Sequence, residues 1–222
     1  MKKTERKPNL LIFASGTKDG GGSGFEALVD AQRHGLLDAN IVGVVSPYKW
    51  GGVNAIAERN GIRSLWFPGP YDALNYSYVI RTYVGRGWVA LSGWTKKMEG
   101  HDPKKTFNIR PARFAFGGQG MYGIHVHQAV IDAYQKGLIK DTAFCMHFVT
   151  EEYDQGLVFF EHPIPVYDTD TPLVLQERVK TYEHIFQWSI TNLVIHEKIS
   201  WDGKDPDSLI VPEGYRFLPK KG

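Results

Sequence analysis

The chain has 222 residues, 42% hydrophobic, 23% charged and 13% aromatic, with a formal net charge of +2. That length can bury a full core within one domain, and the near-neutral charge gives no bulk reason to expect nucleic acid. A single cysteine, Cys145, excludes an internal disulfide and a cysteine-based zinc site. No apolar run approaches the roughly 18 residues needed to span a bilayer.

The basic start (Lys2, Lys3, Arg6, Lys7) reads as a solvated tail that leads straight into an apolar run, not as a signal peptide. A soluble cytoplasmic chain without membrane contact is therefore expected. Asn9 to Ala14 suits a strand buried on both faces. The loop Ser15 to Gly24, SGTKDGGGSG, precedes a helix with Phe25, Leu28 and Val29 on one face, closed by Gly35. Ile41 to Ser46 reads as a second strand, Asn54 to Asn60 as a helix ended by Gly61, and Ser64 to Phe67 as a third strand. Tyr71 to Arg86 is a candidate helix and Val89 to Leu91 a fourth strand. This alternation predicts a parallel sheet with right-handed crossovers.

The pattern changes after Gly93. Thr106 to Ile109 reads as a strand, followed by a glycine-rich loop (Gly117, Gly118, Gly120, Gly123) and a helix from His125 to Gly137 with Ala129, Val130 and Ala133 on one face. Two β-rich runs, Thr142 to Val149 and Leu157 to Val166, flank TEEYDQG and predict a hairpin. Pro172 opens a long helix that runs to about His196. The last twenty residues predict a short hairpin or an irregular tail. The expected fold is α/β, with a mostly parallel, Rossmann-like central sheet flanked by helices and a β-hairpin region in the C-terminal half. One domain is expected over 1–222, with the pattern changing after Gly93.

Three features carry chemistry. The glycine loop lies between a strand and a helix, where unpaired backbone N–H groups and the helix dipole favour a phosphate, and Lys18 adds a point charge. Gly22, Gly24 and Ala27 fit a dinucleotide fingerprint only loosely, and the acidic residue expected after the second strand is missing, since that strand ends in Ser46-Pro47-Tyr48. Asn108 and Asp154 form a second pair. An asparagine amide can donate to a developing oxyanion, and a carboxylate can accept or relay a proton. The histidines contribute less. His125 and His127 lie two apart at a helix start and point to different faces, which is poor geometry for a metal, and none is expected. His147 and Cys145 lie in an apolar strand and read as core residues.

The ordered set Ser15-Gly16, LSGW (91–94), NIRP (108–111), GMYGIHVHQAV (120–130), MHFVTEEYDQG (146–156) and RVKTYEH (178–184) resembles the folate-dependent phosphoribosylglycinamide formyltransferases. Related methionyl-tRNA formyltransferases and formyltetrahydrofolate deformylases carry an extra domain that is not expected here. The resemblance implies transfer of a formyl group from 10-formyltetrahydrofolate, as co-substrate, to the amine of glycinamide ribonucleotide, with 1–93 as a phosphate-binding half and 94–222 as a folate-binding and catalytic half. Position by position, it implies a phosphate turn at Gly16 with Thr17, Gly22, Ser23 or Gly24. It also implies a ribose contact at Glu183 and a folate pocket at Lys96, Lys97, Met98, Thr150 and Glu151. Asn108 and Asp154 match two of the family's three catalytic residues, and His147 matches a supporting histidine.

The third catalytic position, where the family has histidine, is Arg110. An arginine stays protonated and cannot act as the base, but it can stabilise an oxyanion. Proton transfer would then fall to Asp154 through water. Two alternatives are a related formyltransferase acting on another amine, such as a sugar nucleotide, and a folate- or nucleotide-binding homologue without activity. A monomer or homodimer is expected.

Overall fold

The computed structural model describes residues 6–117, 120–152 and 155–219. Five apolar runs pair in parallel because each is joined to the next by a crossover. These are β1 (Asn9–Phe13), β2 (Asn40–Ser46), β3 (Ser64–Trp66), β4 (Trp88–Ser92) and β5 (Thr106–Arg110). Helices α1 (Ser23–Arg33), α2 (Gly52–Arg59) and α3 (Ala73–Tyr83) make the first three crossovers. After β5 come α4 (Ile124–Gln135), then β6 (Asp141–Phe148) and β7 (Val158–Pro165), which add antiparallel to the same sheet. The long helix α5 (Pro172–Ile195) closes the fold. Pro172 occupies its first turn, and the Thr171 hydroxyl accepts from the Val174 amide, satisfying a donor the helix leaves open. The sheet order is β3-β2-β1-β4-β5-β6-β7.

Strand alternation divides the core in two. Leu10, Ile12 and Ala14 pack with α1, α2, α4 and α5, whereas Leu11 and Phe13 pack with Tyr76 and Val79 of α3. Phe107 and Ile109 of β5 belong to the first side. Asn108 and Arg110 therefore face the second side, together with their register partners His147 and Cys145 on β6. Residue alternation in β5 thus puts the polar pair on the face that α3 covers farther along the sheet.

Strand order reverses between β1 and β4, the position at which open α/β sheets bind ligands beyond the carboxyl ends of their strands. The loops after these two strands are stitched together. The Ser15 amide donates to Gly93 O at 3.2 Å, and the Thr95 amide donates to Ser15 Oγ at 3.0 Å.

The predicted elements form in the predicted order, with shifts of one or two residues at most ends. One helix face differs. The buried stripe of α4 is Val126, His127, Val130 and Ile131, not the expected Ala129, Val130 and Ala133. The larger aliphatic side chains bury more apolar area than the alanines, and His127 is carried inward with them, while His125 is exposed. The tail is irregular, held by a Ser200–Ile210 bridge and by Trp201 Nε1 donating to Asp205 O at 2.7 Å. Among the described residues, no helix is long and apolar enough to cross a membrane, and no group of three or more His, Cys, Asp or Glu could hold a metal ion.

Candidate active site

The glycine loop is shaped by backbone meeting backbone. Gly16, Gly21 and Gly22 have positive φ angles of 60°, 79° and 92°, which L side chains rarely adopt. The Thr17 amide closes a turn on Gly20 O at 2.7 Å. The start of α2 is pressed against this turn, so that a methyl group on Gly52 would stand 2.4 Å from Gly20 O. Ser23 and Gly24 then open α1, whose N-terminus has no side-chain cap. Its first amides are thereby left for another acceptor.

Glu183 of α5 reaches the same place. A methyl on Gly24 would lie 2.6 Å from Glu183 Oε1 and 2.5 Å from Ser92 Oγ. Only a glycine lets the carboxyl and the hydroxyl come this close to the α1 backbone. Gln187, one turn further along α5, donates from Nε2 to Gly24 O at 3.1 Å. Burial pushes the Glu183 carboxyl up to about 7, against a smaller opposing pull from Lys180. The structure therefore brings Gly22, Ser23, Gly24 and Glu183 together. Ser92 falls within the LSGW motif, but nothing in the sequence assigns it a role of its own.

A separate cleft opens beside β5 and β6. Its walls include Trp94, Lys96, Lys97 and Met98 after β4, and Val149, Thr150 and Glu152 after β6; Asn108 and His147 also line it. Glu152, not its neighbour Glu151, lines this cleft. Trp94 is fixed by packing edge-on to Phe13 and by donating from Nε1 to Tyr76 Oη at 3.1 Å. Lys96 Nζ lies 5.5 Å from the Tyr71 ring centroid, and Lys97 Nζ pairs with Glu99 Oε1 at 2.8 Å.

Asn108 and His147 meet because β5 and β6 pair antiparallel in this register. His147 Nδ1 lies 2.8 Å from Phe148 O, and its Nε2 lies 3.1 Å from Asn108 Nδ2. A carbonyl can only accept, so Nδ1 carries a proton and Nε2 accepts from the Asn108 amide. That bond fixes the asparagine rotamer and amide orientation.

Arg110, two residues beyond Asn108 on the same face, is buried at 6% exposure, and its Nε donates to Ala112 O at 3.1 Å. Arg110 is not among the side chains that line the cleft. Cys145 opposite it is fully buried, and burial raises its thiol well above the usual range, which makes it an inert core residue. Asp154 lies outside the described residues.

The arrangement is a phosphate-type turn with an acidic partner, next to a cleft holding an oriented amide. The seven-stranded, mostly parallel sheet matches the Rossmann-like fold of solved glycinamide ribonucleotide transformylases. A solved glycinamide ribonucleotide transformylase 1 from Symbiobacterium toebii matches with a TM-score of 0.78 at 21% identity, covering 96% of this chain and 98% of that one. A phosphoribosylglycinamide formyltransferase from Brucella melitensis matches at 0.67 and 28% identity, covering 85% of this chain and 95% of that one. No family model matches the chain. Among curated proteins, the chloroplastic phosphoribosylglycinamide formyltransferase of Arabidopsis thaliana is 34% identical over 208 residues, 88% of this chain and 68% of that protein. The chain belongs to the phosphoribosylglycinamide formyltransferase family, one-carbon transferases of purine biosynthesis. It spans about two thirds of the length of the plant relatives, 64% to 68% for three of them.

Proposed function

We propose that this chain moves the formyl group of 10-formyltetrahydrofolate onto the amine of glycinamide ribonucleotide, with Asn108 as the residue that polarises the formyl oxygen. The sugar phosphate is held by the Gly16–Gly24 turn and the α1 N-terminus, with Gly16, Thr17, Gly22, Ser23 and Gly24 as the candidate contacts, and the ribose by Glu183. The folate lies in the cleft between Lys96, Lys97 and Met98 and the Thr150–Glu151 loop. The amine attacks the formyl carbon, a new C–N bond forms, and the carbonyl oxygen takes up negative charge. Asn108 donates to that oxygen, held in place by His147. The carbon–N10 bond then breaks, and the proton lost by the amine ends on N10. Arg110 cannot carry that proton because its guanidinium stays charged; buried and donating to Ala112 O, it contributes positive charge from outside the cleft. Proton relay through water falls to Asp154.

The observation that supports this reading above all is the hydrogen bond between Asn108 and His147 at the cleft, in a chain of this family. The test is formyl transfer from 10-formyltetrahydrofolate to glycinamide ribonucleotide. Turnover above a heat-killed control is expected. No turnover, with both ligands shown to bind by titration, overturns the reading and favours a binding protein. A cytoplasmic location and a monomeric or homodimeric state belong to the same proposal, checked by cell fractionation and by sedimentation.

A further inference from the structure

We infer that His101 is a positioning residue for the folate site, acting through the peptide that joins Val149 to Thr150. The inference rests on the folate reading of the cleft proposed above. His101 does not line that cleft. It sits behind it, at the end of the β4–β5 loop, in a groove walled by Leu74, Ser77 and Arg81 of α3. Its Nε2 lies 3.1 Å from Val149 O, so the ring donates there. Its Nδ1 is buried without a hydrogen-bond partner among the described residues.

The peptide held by His101 is the first of the loop that enters the cleft. Val149 is the last residue tied to the sheet, its amide donating to Thr106 O at 2.9 Å. Its carbonyl goes to His101, and both Val149 and Thr150 line the cleft. A trans peptide is planar, so its C=O and N–H point in opposite directions. Drawing Val149 O back toward His101 turns the Thr150 N–H the other way, toward the cleft. A flat heterocycle read by backbone groups needs that plane fixed before it arrives.

His101 is itself anchored. Gly100 has a φ of 61°, and a methyl on it would stand 2.3 Å from Ala73 O in the first turn of α3. Ser77 Oγ donates to Gly100 O. The α3 helix, the Gly100 contact, the imidazole and the Val149 carbonyl thus form one continuous support from α3 to the folate wall.

The experiment compares the parent with His101→Ala and His101→Gln. Folate affinity is read by titration with tetrahydrofolate, and the KM values for 10-formyltetrahydrofolate and glycinamide ribonucleotide are read separately from kcat. His101→Ala is expected to weaken tetrahydrofolate binding and raise the folate KM by roughly tenfold, the loss of about one buried hydrogen bond. The ribonucleotide KM should stay within about twofold. His101→Gln keeps a donor and should recover most of the loss. Folate affinity unchanged in His101→Ala, with only the melting temperature lowered, overturns the assignment. So does a glutamine variant no better than alanine. A parent that binds no tetrahydrofolate overturns the folate reading and this inference together, whereas a parent that binds it and an equally tight alanine variant overturns this inference alone.

Discussion

At the scale of single residues, the site depends on two groups whose state is set by neighbours. Asn108 is held by His147, which is held in turn by the Phe148 carbonyl. Asn108→Ala should lower kcat by roughly 10²- to 10³-fold, the usual cost of one oxyanion donor, with little change in either KM. Steady-state assays check this, and a kcat within threefold of the parent would remove Asn108 from the mechanism.

Glu183 has the opposite character. Its folded-state pKa of about 7 stands above its ordinary 4.5 because burial penalises the charge. The native state therefore binds that proton more tightly than the unfolded chain does. The stability this contributes is present below pH 4.5 and is lost as pH rises through 7. Glu183→Gln should melt above the parent at pH 8.5, by roughly 2–4 °C per kcal/mol relieved, with the difference closing toward pH 4.5. The same variant should raise the KM for glycinamide ribonucleotide. A melting difference independent of pH would show that the carboxyl is not strained by ionisation.

At the scale of elements, the glycine loop is set by α2 as much as by its own glycines. A Cβ on Gly52 would stand 2.4 Å from the carbonyl carbon and oxygen of Gly20, closer than real atoms pack. Gly52→Ala should therefore displace the turn, cost about 1–3 kcal/mol and weaken the ribonucleotide. Folate binding, in a cleft built from other loops, should be untouched. Calorimetric titration of each ligand separates the two effects, and equal loss of both would point to general unfolding instead.

Much of this level was legible in the sequence. The buried strands are continuous apolar runs bounded by glycines, and Pro172 marks the start of α5. The glycine loop announced itself by composition. What the sequence could not show is who meets whom. Asn108 reaches His147 through antiparallel register across 39 positions. Ser92 and His101 are single polar residues whose roles depend on Gly24 and Val149, which are far away in the chain. The buried face of α4 is not the one periodicity predicts because it includes a histidine, His127, and periodicity counts polarity, not the area that packing buries.

At the scale of the whole molecule, imidazoles held below their ordinary pKa shape the response to acid. Burial lowers His127 to about 4, with Lys180 adding to the effect. Burial also lowers His101, His162 and His184 from their ordinary 6.5. The unfolded chain takes up these protons first, so stability present above pH 6.5 is lost as pH falls toward 4. Glu183 works against this trend. The melting temperature should fall steadily between pH 6.5 and 4.5, with net proton uptake on unfolding. A flat profile across that range would mean the four rings titrate alike in both states.

The position of α5 has a consequence for the order in which the molecule is built. Its Glu183 and Gln187 close on Gly24, and its Asn192 donates to Leu36 O at 2.7 Å and accepts from the Asp38 amide at 2.8 Å. The β1–α1 unit is thus completed by a helix 163 residues further along, counted from Gly24 to Gln187. A nascent chain emerging from the ribosome presents the β1 turn with no acidic partner until α5 has been made. A bound ribonucleotide can report that moment: chains stalled before α5 should ignore it, and chains released past Ile195 should hold it.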